Sequence, residues 1–380
     1  MFNLNNSKII KLSKNSVKDI QKIENFENVG TDVNPLATSA PITYTPIQIQ
    51  TAYGLNLIPL QNGKTLGSGI KIAIIIAYHY ANLQPDLNTY CNKYKLAPIT
   101  LTIINQAGNI TDKGWALECN LDTQMINTIA PGAKVYVVEA KTNSFNDLQT
   151  AITTAVNLGV DIISMSFGSS EFLAQSSLEH LFTSSNITFI ASSGDAIYPN
   201  YPATSSNVVA VGGTTLTLNS NNTRKTEITW AYAGVGPSKY TLTPIYQKGV
   251  NSTKYRNIPD VSLTGSTADG FVVYSSVNGG YFSVGGTSVS APLFAGITSV
   301  ANQLRKNASK PLLTSISTSS TCLQTYLYKT IYTSQQLYST CMYDITSGSD
   351  GSYTAVVNYD MATGLGSVNS NTLCSQLVNV

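Results

Sequence analysis

From about residue 43 onward the chain alternates apolar strand-type runs with helical segments, and this alternation constrains the fold more than any other feature. Residues 70–77 (IKIAIIIA) and 133–140 (AKVYVVEA) are continuous apolar runs, typical of strands buried on both faces. The segment SFNDLQTAITTAVNLG repeats apolar residues at helical spacing, with Ser144 as its predicted N-cap and Gly159 beyond its end. Further strands are predicted at VDIISMS, ITFIAS and NVVAVGGTTL, and a short helix at SSLEHLFTSSN. The pattern predicts an α/β fold with a mostly parallel central sheet and helices on both faces.

Residues 1–42 differ from the rest of the chain because they are polar and show neither helical nor strand periodicity. They end in a proline-bearing linker, NPLATSAPITYTP. We interpret them as an N-terminal arm, either a disordered leader or a vestigial pro-segment, which precedes one domain of residues 43–380. The first residues lack the uninterrupted apolar stretch of a signal peptide, so no export signal is predicted and the compartment is left open.

The charge content excludes some classes of partner. Only 11% of the residues are charged and the formal net charge is +2, without clusters of Lys or Arg. Nucleic acid and membrane partners are therefore not expected, whereas a surface with few carboxylates would tolerate acid. The five cysteines have no metal-ligand spacing, although Cys322 and Cys341 could pair in an oxidising compartment.

The stretch GGTSVSAPLFAG, residues 285–296, is typical of a tight loop that delivers a hydroxyl to the first turn of a buried helix. A nucleophilic Ser288 needs a base, and the chain has only two histidines, His79 and His180. Neither lies in the sequence setting of a catalytic histidine. The first strand ends in Ile-Ile-Ala without an aspartate, so a Ser-His-Asp triad is not predicted.

Carboxyl groups are the alternative source of a base. Glu118 and Asp122 are four residues apart in a predicted helix, so their side chains lie on one face and can share a proton. Asp195 follows a predicted strand in a Ser-Ser-Gly turn. Taken singly, the first two could be an exposed acidic pair on a solvated helix and the third an ordinary turn residue.

In order, several stretches resemble the sedolisins, serine-carboxyl peptidases with a subtilisin-like fold in which Glu replaces the catalytic His. The matching stretches are GWALECNLDTQ, IISMSFGSSE, ASSGD, VVAVGGTTL, RNIPDVSL, GGTSVSAPLFAG and DITSG…NYDMATGLGS. The resemblance implies that Ser288 is the nucleophile, Glu118 its general base and Asp122 the residue that orients Glu118. Asp195, with the backbone N–H of Ser288, would form the oxyanion hole. Because a protonated acid must donate there, an acidic optimum is expected.

Two further predicted sites depend more on the resemblance to the family than on the residues themselves. SMSFGSSE would be an edge strand that lines the substrate cleft, where Ser166 and Gly168 offer backbone hydrogen bonds to an extended peptide, unless it is an ordinary buried strand end. The family binds one Ca²⁺ near the C-terminus, where this chain has Asp344, Ile345, Val356, Asn358 and Asp360. The family has Gly at the positions of Val356 and Asn358, but only their carbonyls would bind.

The sequence therefore predicts an acid-acting serine endopeptidase that hydrolyses peptides or unfolded proteins as a monomer through an acyl-enzyme on Ser288. The alternatives are a tripeptidyl-peptidase, a non-catalytic peptide-binding protein on the same scaffold, and a structural surface protein. Cleavage preference stays open, and the family is mostly secreted or lysosomal. Nucleotide binding is not predicted because the chain lacks GxGxxG and P-loop motifs.

Overall fold

The computed structural model describes residues 42–60, 63–250 and 252–379, together with the backbone of residues 9–12 and 20–22. The strands are β1 Ile9–Leu12, β2 Ile20–Lys22, β3 Ile42–Tyr44, β4 Lys71–Ala77, β5 Thr102–Asn105, β6 Lys134–Ala140, β7 Ile162–Met165, β8 Ser169–Ser170, β9 Thr188–Ser192, β10 Asn200–Tyr201, β11 Val208–Leu218, β12 Arg224–Thr229, β13 Gly236–Leu242, β14 Tyr255–Ile258, β15 Val261–Thr264, β16 Asp269–Ser275, β17 Gly280–Val284, β18 Met342–Tyr343 and β19 Ser367–Val368. The α-helices are α1 Pro46–Ala52, α2 Leu83–Tyr94, α3 Lys113–Ile129, α4 Phe145–Asn157, α5 Thr287–Asn307, α6 Leu323–Thr325, α7 Gln335–Cys341 and α8 Ser370–Val378. Shorter turns of 3₁₀-helix cover Leu55–Leu57, Leu173–Phe182 and Ile245–Gln247, and a π-helical segment covers Tyr326–Ile331.

The central sheet confirms the predicted α/β architecture. Its order is β12-β11-β9-β7-β4-β6-β5, with β15 also paired to β11, and every pairing except that of β11 with β12 is parallel. The apolar runs predicted as buried strands form β4 and β6, which lie side by side and are each paired on both edges. Helices α3 and α5 pack against each other and against the sheet, and α4 packs against β4 and β6.

Local signals in the sequence place the ends of α4 correctly. The Oγ of Ser144 accepts a hydrogen bond from the N–H of Asp147 at 3.2 Å, which satisfies one amide of the first helical turn. Gly159 follows the helix with φ of 62°, a left-handed conformation that favours glycine. These two residues explain why the helix begins and ends where the sequence predicts.

The sequence left two interpretations of SMSFGSSE open, an edge strand that lines the substrate cleft and an ordinary buried strand end. Strand β7 lies between β4 and β9, so it is paired on both sides. The chain then leaves the sheet, and Ser169–Ser170 form a separate two-stranded pairing with Asn200–Tyr201. Residues 166–168 lie between these two pairings, so the first residues of the stretch end a buried strand and the cleft-lining role of the next ones stays a prediction.

A second sheet has the order β2-β1-β17-β16-β3. Strand β1 pairs antiparallel with β17, with Ile9 opposite Val284. This pairing connects part of the N-terminal arm to the strand that precedes Ser288 in the chain. The prediction that residues 1–42 form a disordered leader or a vestigial pro-segment concerns mostly residues outside the described ones and stays a prediction.

All five cysteines are buried free thiols, so the pairing of Cys322 with Cys341 that the sequence left open is not formed. Across the described residues, no helix combines the length and the apolar character that crossing a membrane requires.

Candidate active site

Ser288 lies in the first turn of α5, immediately after the loop that follows β17. Gly286 has φ of 132°, and a side chain on Gly285 would place its Cβ 2.7 Å from the carbonyl oxygen of Ser266, so this loop requires both glycines. The Ser288 side chain is only 6% exposed. The first-turn amides of a helix lack intrahelical acceptors and carry partial positive charge, so negative charge that develops beside Ser288 would be stabilised.

Glu118 and Asp122 lie on α3, one turn apart, and both are buried. The Ser288 hydroxyl lies close enough to the Glu118 carboxyl to lower its pKa by hydrogen bonding. The same hydroxyl is 3.4 Å from the carbonyl oxygen of Ser166, a long contact. Because a serine has one proton to donate, these two acceptors compete for it, and the carboxyl is the stronger one.

Burial governs the electrostatics of the two acids. It raises the pKa of Glu118 to about 8, a shift to which the negative charge of Asp195 adds and which the Ser288 hydroxyl opposes. Burial and the neighbouring Glu118 charge hold the pKa of Asp122 well above its usual range, against a hydrogen bond from Ser166. Among the described residues neither acid forms an ion pair, and Oε1 of Glu118 and Oδ2 of Asp122 have no hydrogen-bond partner. Two such carboxyls are stable together only while they hold at least one proton between them.

Asp195 lies against the residue that precedes Ser288. Its Oδ1 accepts hydrogen bonds from the backbone N–H of Thr287 at 2.8 Å and from the Thr287 hydroxyl at 2.7 Å. The Thr287 Oγ1 in turn accepts a bond from the N–H of Gly194 at 3.2 Å. Sequence analysis missed Thr287, although its position between Gly286 and Ser288 was a usable signal.

Ser166 contacts both Asp122 and Ser288, whereas the backbone of Gly168 passes close to a different segment of the chain. The Ser166 hydroxyl donates to Oδ1 of Asp122 at 2.7 Å, a side-chain contact that the sequence did not predict. A Cβ on Gly168 would lie 3.1 Å from the carbonyl oxygen of Tyr201, so the chain passes close to β10 at this point. Backbone bonds from Ser166 and Gly168 to a substrate stay a prediction.

The residues predicted to hold Ca²⁺ do meet in one loop. Asp344 accepts from the N–H of Asn358 at 2.9 Å, and Asp360 accepts from the N–H of Val356 at 3.1 Å. Carboxylate and carbonyl oxygens, the donor types of the predicted set, fit a hard cation in their chemistry. The amides, not the carbonyls, of residues 356 and 358 face the carboxylates. Within the described residues, no three His, Cys, Asp or Glu side chains group as ligands.

Both histidines have partners away from Ser288. Nδ1 of His79 lies 2.6 Å from Oε2 of Glu139, at the ends of β4 and β6, and Nδ1 of His180 lies 2.8 Å from the carbonyl oxygen of Ser177. Trp115, in the first turn of α3, is buried with its ring 6.5 Å from those of Tyr78 and Phe167. No described histidine is therefore positioned as the base of Ser288, and carboxyls occupy that place.

Comparison with known proteins finds similarity to the subtilase family and to peptidases of the sedolisin type. The model of the subtilase family matches residues 69–353. Xanthomonalisin from Xanthomonas sp. (strain T-22) is 26% identical to this chain in an alignment 425 residues long. The alignment covers 93% of this chain and 48% of that protein. Sedolisin from Pseudomonas sp. (strain 101) is 27% identical over 316 residues, which cover 72% of this chain and 52% of that protein. The chain spans about half the length of the curated relatives it matches.

Among solved structures, Pseudomonas sedolisin (serine-carboxyl proteinase) complexed with two molecules of pseudo-iodotyrostatin superposes with a TM-score of 0.76. The identity is 24%, and the match covers 90% of this chain and 99% of that one. At this identity the match establishes the shared fold.

Proposed function

Because this chain belongs to the subtilase family and its relatives include xanthomonalisin and sedolisin, we propose that it is a serine-carboxyl peptidase that attacks peptide bonds through Ser288. One observation carries the proposal: a buried carboxyl with a pKa raised to about 8, Glu118, lies beside the hydroxyl of a serine in the first turn of a helix. A carboxyl with a raised pKa is a stronger base than an ordinary one, which is what a serine nucleophile requires.

In the proposed reaction, the Ser288 Oγ attacks the carbonyl carbon of the peptide bond and its proton passes to Glu118. The resulting carboxylic acid then returns the proton to the leaving amine, which leaves an acyl group on Ser288. Water attacks this ester with Glu118 again as the base. Asp122 holds the second proton of the acid pair, so that the pair carries one negative charge before attack.

Asp195 and the N–H of Ser288 would stabilise the tetrahedral oxyanion. The two hydrogen bonds from Thr287 fix Oδ1 of Asp195 as an acceptor, so the proton of a neutral Asp195 belongs on Oδ2, from which it can be donated. An ionised carboxylate would repel the oxyanion instead. Because both Asp195 and one acid of the pair must keep a proton, we expect activity to be highest in acid and to fall as the pH rises.

The test is to incubate an unfolded protein with the enzyme from about pH 3 to about pH 8 and to sequence the fragments by mass spectrometry. Ser288→Ala should reduce cleavage by at least about 10⁴-fold without loss of the folded state. Ser299→Ala is the matched control, because that serine is buried in the same helix and donates to the carbonyl oxygen of Gly296 at 2.8 Å.

Each outcome distinguishes the alternatives. Internal cuts indicate an endopeptidase, and three-residue products from the N-terminus indicate a tripeptidyl-peptidase. Substrate capture without cleavage by either protein would identify a peptide-binding protein, and cleavage that survives Ser288→Ala would disprove the nucleophile. A rate still rising through neutral pH would contradict the carboxyl mechanism.

The loop that joins Asp344 to Asp360 is proposed to bind one Ca²⁺. Both carboxyls converge on residues 356–358, and the burial of Asp360 raises its pKa against several backbone hydrogen bonds. A bound cation would neutralise two carboxylates that have only neutral hydrogen-bond donors. In this role the ion would tie the loop to the domain and would take no part in peptide-bond cleavage.

A further inference from the structure

Ser166 connects the two functional parts of the candidate site. Its hydroxyl donates to Oδ1 of Asp122 at 2.7 Å, and its carbonyl oxygen lies 3.4 Å from Oγ of Ser288. The residue is 2% exposed and directly follows β7, which is paired on both sides by β4 and β9. A residue attached to the middle of the sheet has little freedom to move, so it is suited to fix the position of its partners.

We propose that the hydroxyl of Ser166 is a positioning group that fixes Asp122 and thereby selects which carboxyl oxygen shares a proton with Glu118. This inference rests on the proposed peptidase function and goes beyond a backbone role for Ser166 in substrate binding. In this role the Ser166 side chain contacts Asp122 and, through Asp122, affects Glu118, the proposed base.

The hydrogen-bond pattern of Asp122 supports this assignment. Among the described residues Ser166 is the one side chain that donates a hydrogen bond to this carboxyl, and Oδ2 is buried without a partner. Oε1 of Glu118 is buried without a partner as well. When Ser166 holds Oδ1, Oδ2 is the oxygen that remains to share a proton with Glu118, and the pair has one defined arrangement. Without the Ser166 hydroxyl, neither oxygen of Asp122 has a side-chain donor among the described residues.

The same hydrogen bond has a second effect, on the charge of the pair formed by Glu118 and Asp122. A hydroxyl that donates to a carboxylate favours the ionised form, and Ser166 lowers the pKa of Asp122 against burial and the Glu118 charge. Loss of this donor would leave both acids protonated up to a higher pH. Since the pair must lose one proton before Ser288 can be deprotonated, the acid limb of the pH–rate profile would move upward.

The experiment measures kcat and KM across pH for the wild type and Ser166→Ala. We expect the acid limb of kcat to move up by about one pH unit and kcat near the optimum to fall about tenfold, with KM little changed. Ser166→Cys, which keeps a weaker donor, should show a smaller shift in the same direction.

Ser164→Ala is the matched control. Ser164 is fully buried in β7, two residues before Ser166, and its hydroxyl has no hydrogen-bond partner among the described residues. A change there removes a buried hydroxyl from the same strand without touching Asp122, so the pH profile should stay unchanged. If Ser166→Ala does not fold, the comparison of Ser166→Cys with Ser164→Ala still decides the question.

A second readout separates this inference from the peptidase proposal. Titration of ¹³C-labelled aspartate carboxyls by NMR should show the Asp122 signal titrating at higher pH in Ser166→Ala than in the wild type, whether or not the protein cleaves peptides. An unmoved Asp122 titration and an unmoved acid limb would overturn the positioning role. If Ser288→Ala still abolishes cleavage in that case, the peptidase proposal stands alone.

Discussion

Asp260 and the pair formed by Glu118 and Asp122 are both buried acidic sites in this molecule, but their partners differ. Asp260 accepts hydrogen bonds from both terminal nitrogens of Arg256, at 2.8 and 3.1 Å, and from the N–H of Ala210 at 2.9 Å. Arg256 and Asp260 are both fully buried, so the ion pair has no contact with solvent. These contacts fix the orientation of the Asp260 carboxyl.

Within the described part of the chain, Glu118 and Asp122 have no cationic partner, and one oxygen of each carboxyl has no hydrogen-bond partner. The proton of this pair can therefore move between the two acids, whereas Asp260 is held in place as the partner of the buried guanidinium of Arg256. Burial alone therefore does not make an acid functional. A functional acid is one whose hydrogen-bonding capacity is left incomplete beside a group that can react.

The largest expected effect comes from Glu118→Gln, which keeps the shape of the side chain and removes its basicity. We expect peptide cleavage to fall by about 10²- to 10⁴-fold at every pH, because the proton of Ser288 then has no acceptor of sufficient strength. Steady-state kinetics on one peptide at several pH values provides the measurement. Activity within a factor of about three of the wild type would remove Glu118 from the role of base.

The same variant tests the electrostatics through stability. The pKa of Glu118 in the folded protein is raised from 4.5 to about 8, so the folded state binds this proton more tightly than the unfolded state does. Its contribution to the free energy of unfolding is fully present below the unfolded pKa and is lost as the pH rises through about 8. Glu118→Gln should therefore lose stability less steeply than the wild type over this range in urea titrations. Asp269, whose pKa burial also raises to about 8, contributes equally to both proteins.

Asp260→Asn is the companion test, because it makes the same kind of change, a buried acid to an amide, at the site that has a cationic partner. Here we expect the free energy of unfolding to fall by about 3–5 kcal/mol, because the guanidinium of Arg256 would remain buried without a counter-charge. Activity per folded molecule should stay near that of the wild type. The comparison between the two sites fails if Asp260→Asn is as stable as the wild type, or if Glu118→Gln loses stability to the same extent.

The sequence predicted the framework well because its signals are local. The apolar runs of β4 and β6 and the cap of α4 depend on residues within a few positions of one another. Glu118 and Asp122 were likewise predicted to share a face of one helix, and α3 places them there.

The sequence did not predict the contacts that join distant segments. Ser166 and Asp122 are 44 residues apart, and Thr287 and Asp195 are 92 apart, so no periodicity relates them. The position of β7 inside the sheet was left open for a similar reason, since strand order depends on pairing partners and not on the strand's own residues. Sequence patterns therefore indicated the candidate residues, and the structure supplied the hydrogen bonds that orient them.

The smallest expected effect concerns a third acidic site, the loop of Asp344 and Asp360. Its carboxylates accept from backbone amides and, at Asp344, from the hydroxyl of Tyr338 at 3.0 Å, so this site has neutral donors only. If it binds Ca²⁺, it resembles Asp260 in depending on a cation. Saturating Ca²⁺ at about a hundredfold excess over Kd would then stabilise the folded protein by about 2.7 kcal/mol, and a chelator would lower Tm by several degrees.

Asp344→Asn should remove most of this dependence on calcium, because it removes one of the two negative charges that would hold the ion. Asp350→Asn is the matched control: Asp350 lies in the same loop and its Oδ1 accepts from the N–H groups of Ser352 and Tyr353, at 2.9 and 2.6 Å, outside the proposed ligand set. Scanning calorimetry with Ca²⁺, Mg²⁺ and chelator distinguishes the cases. An equal response to Mg²⁺, or none to Ca²⁺, would identify these carboxylates as turn residues that amides and hydroxyls hold without a cation.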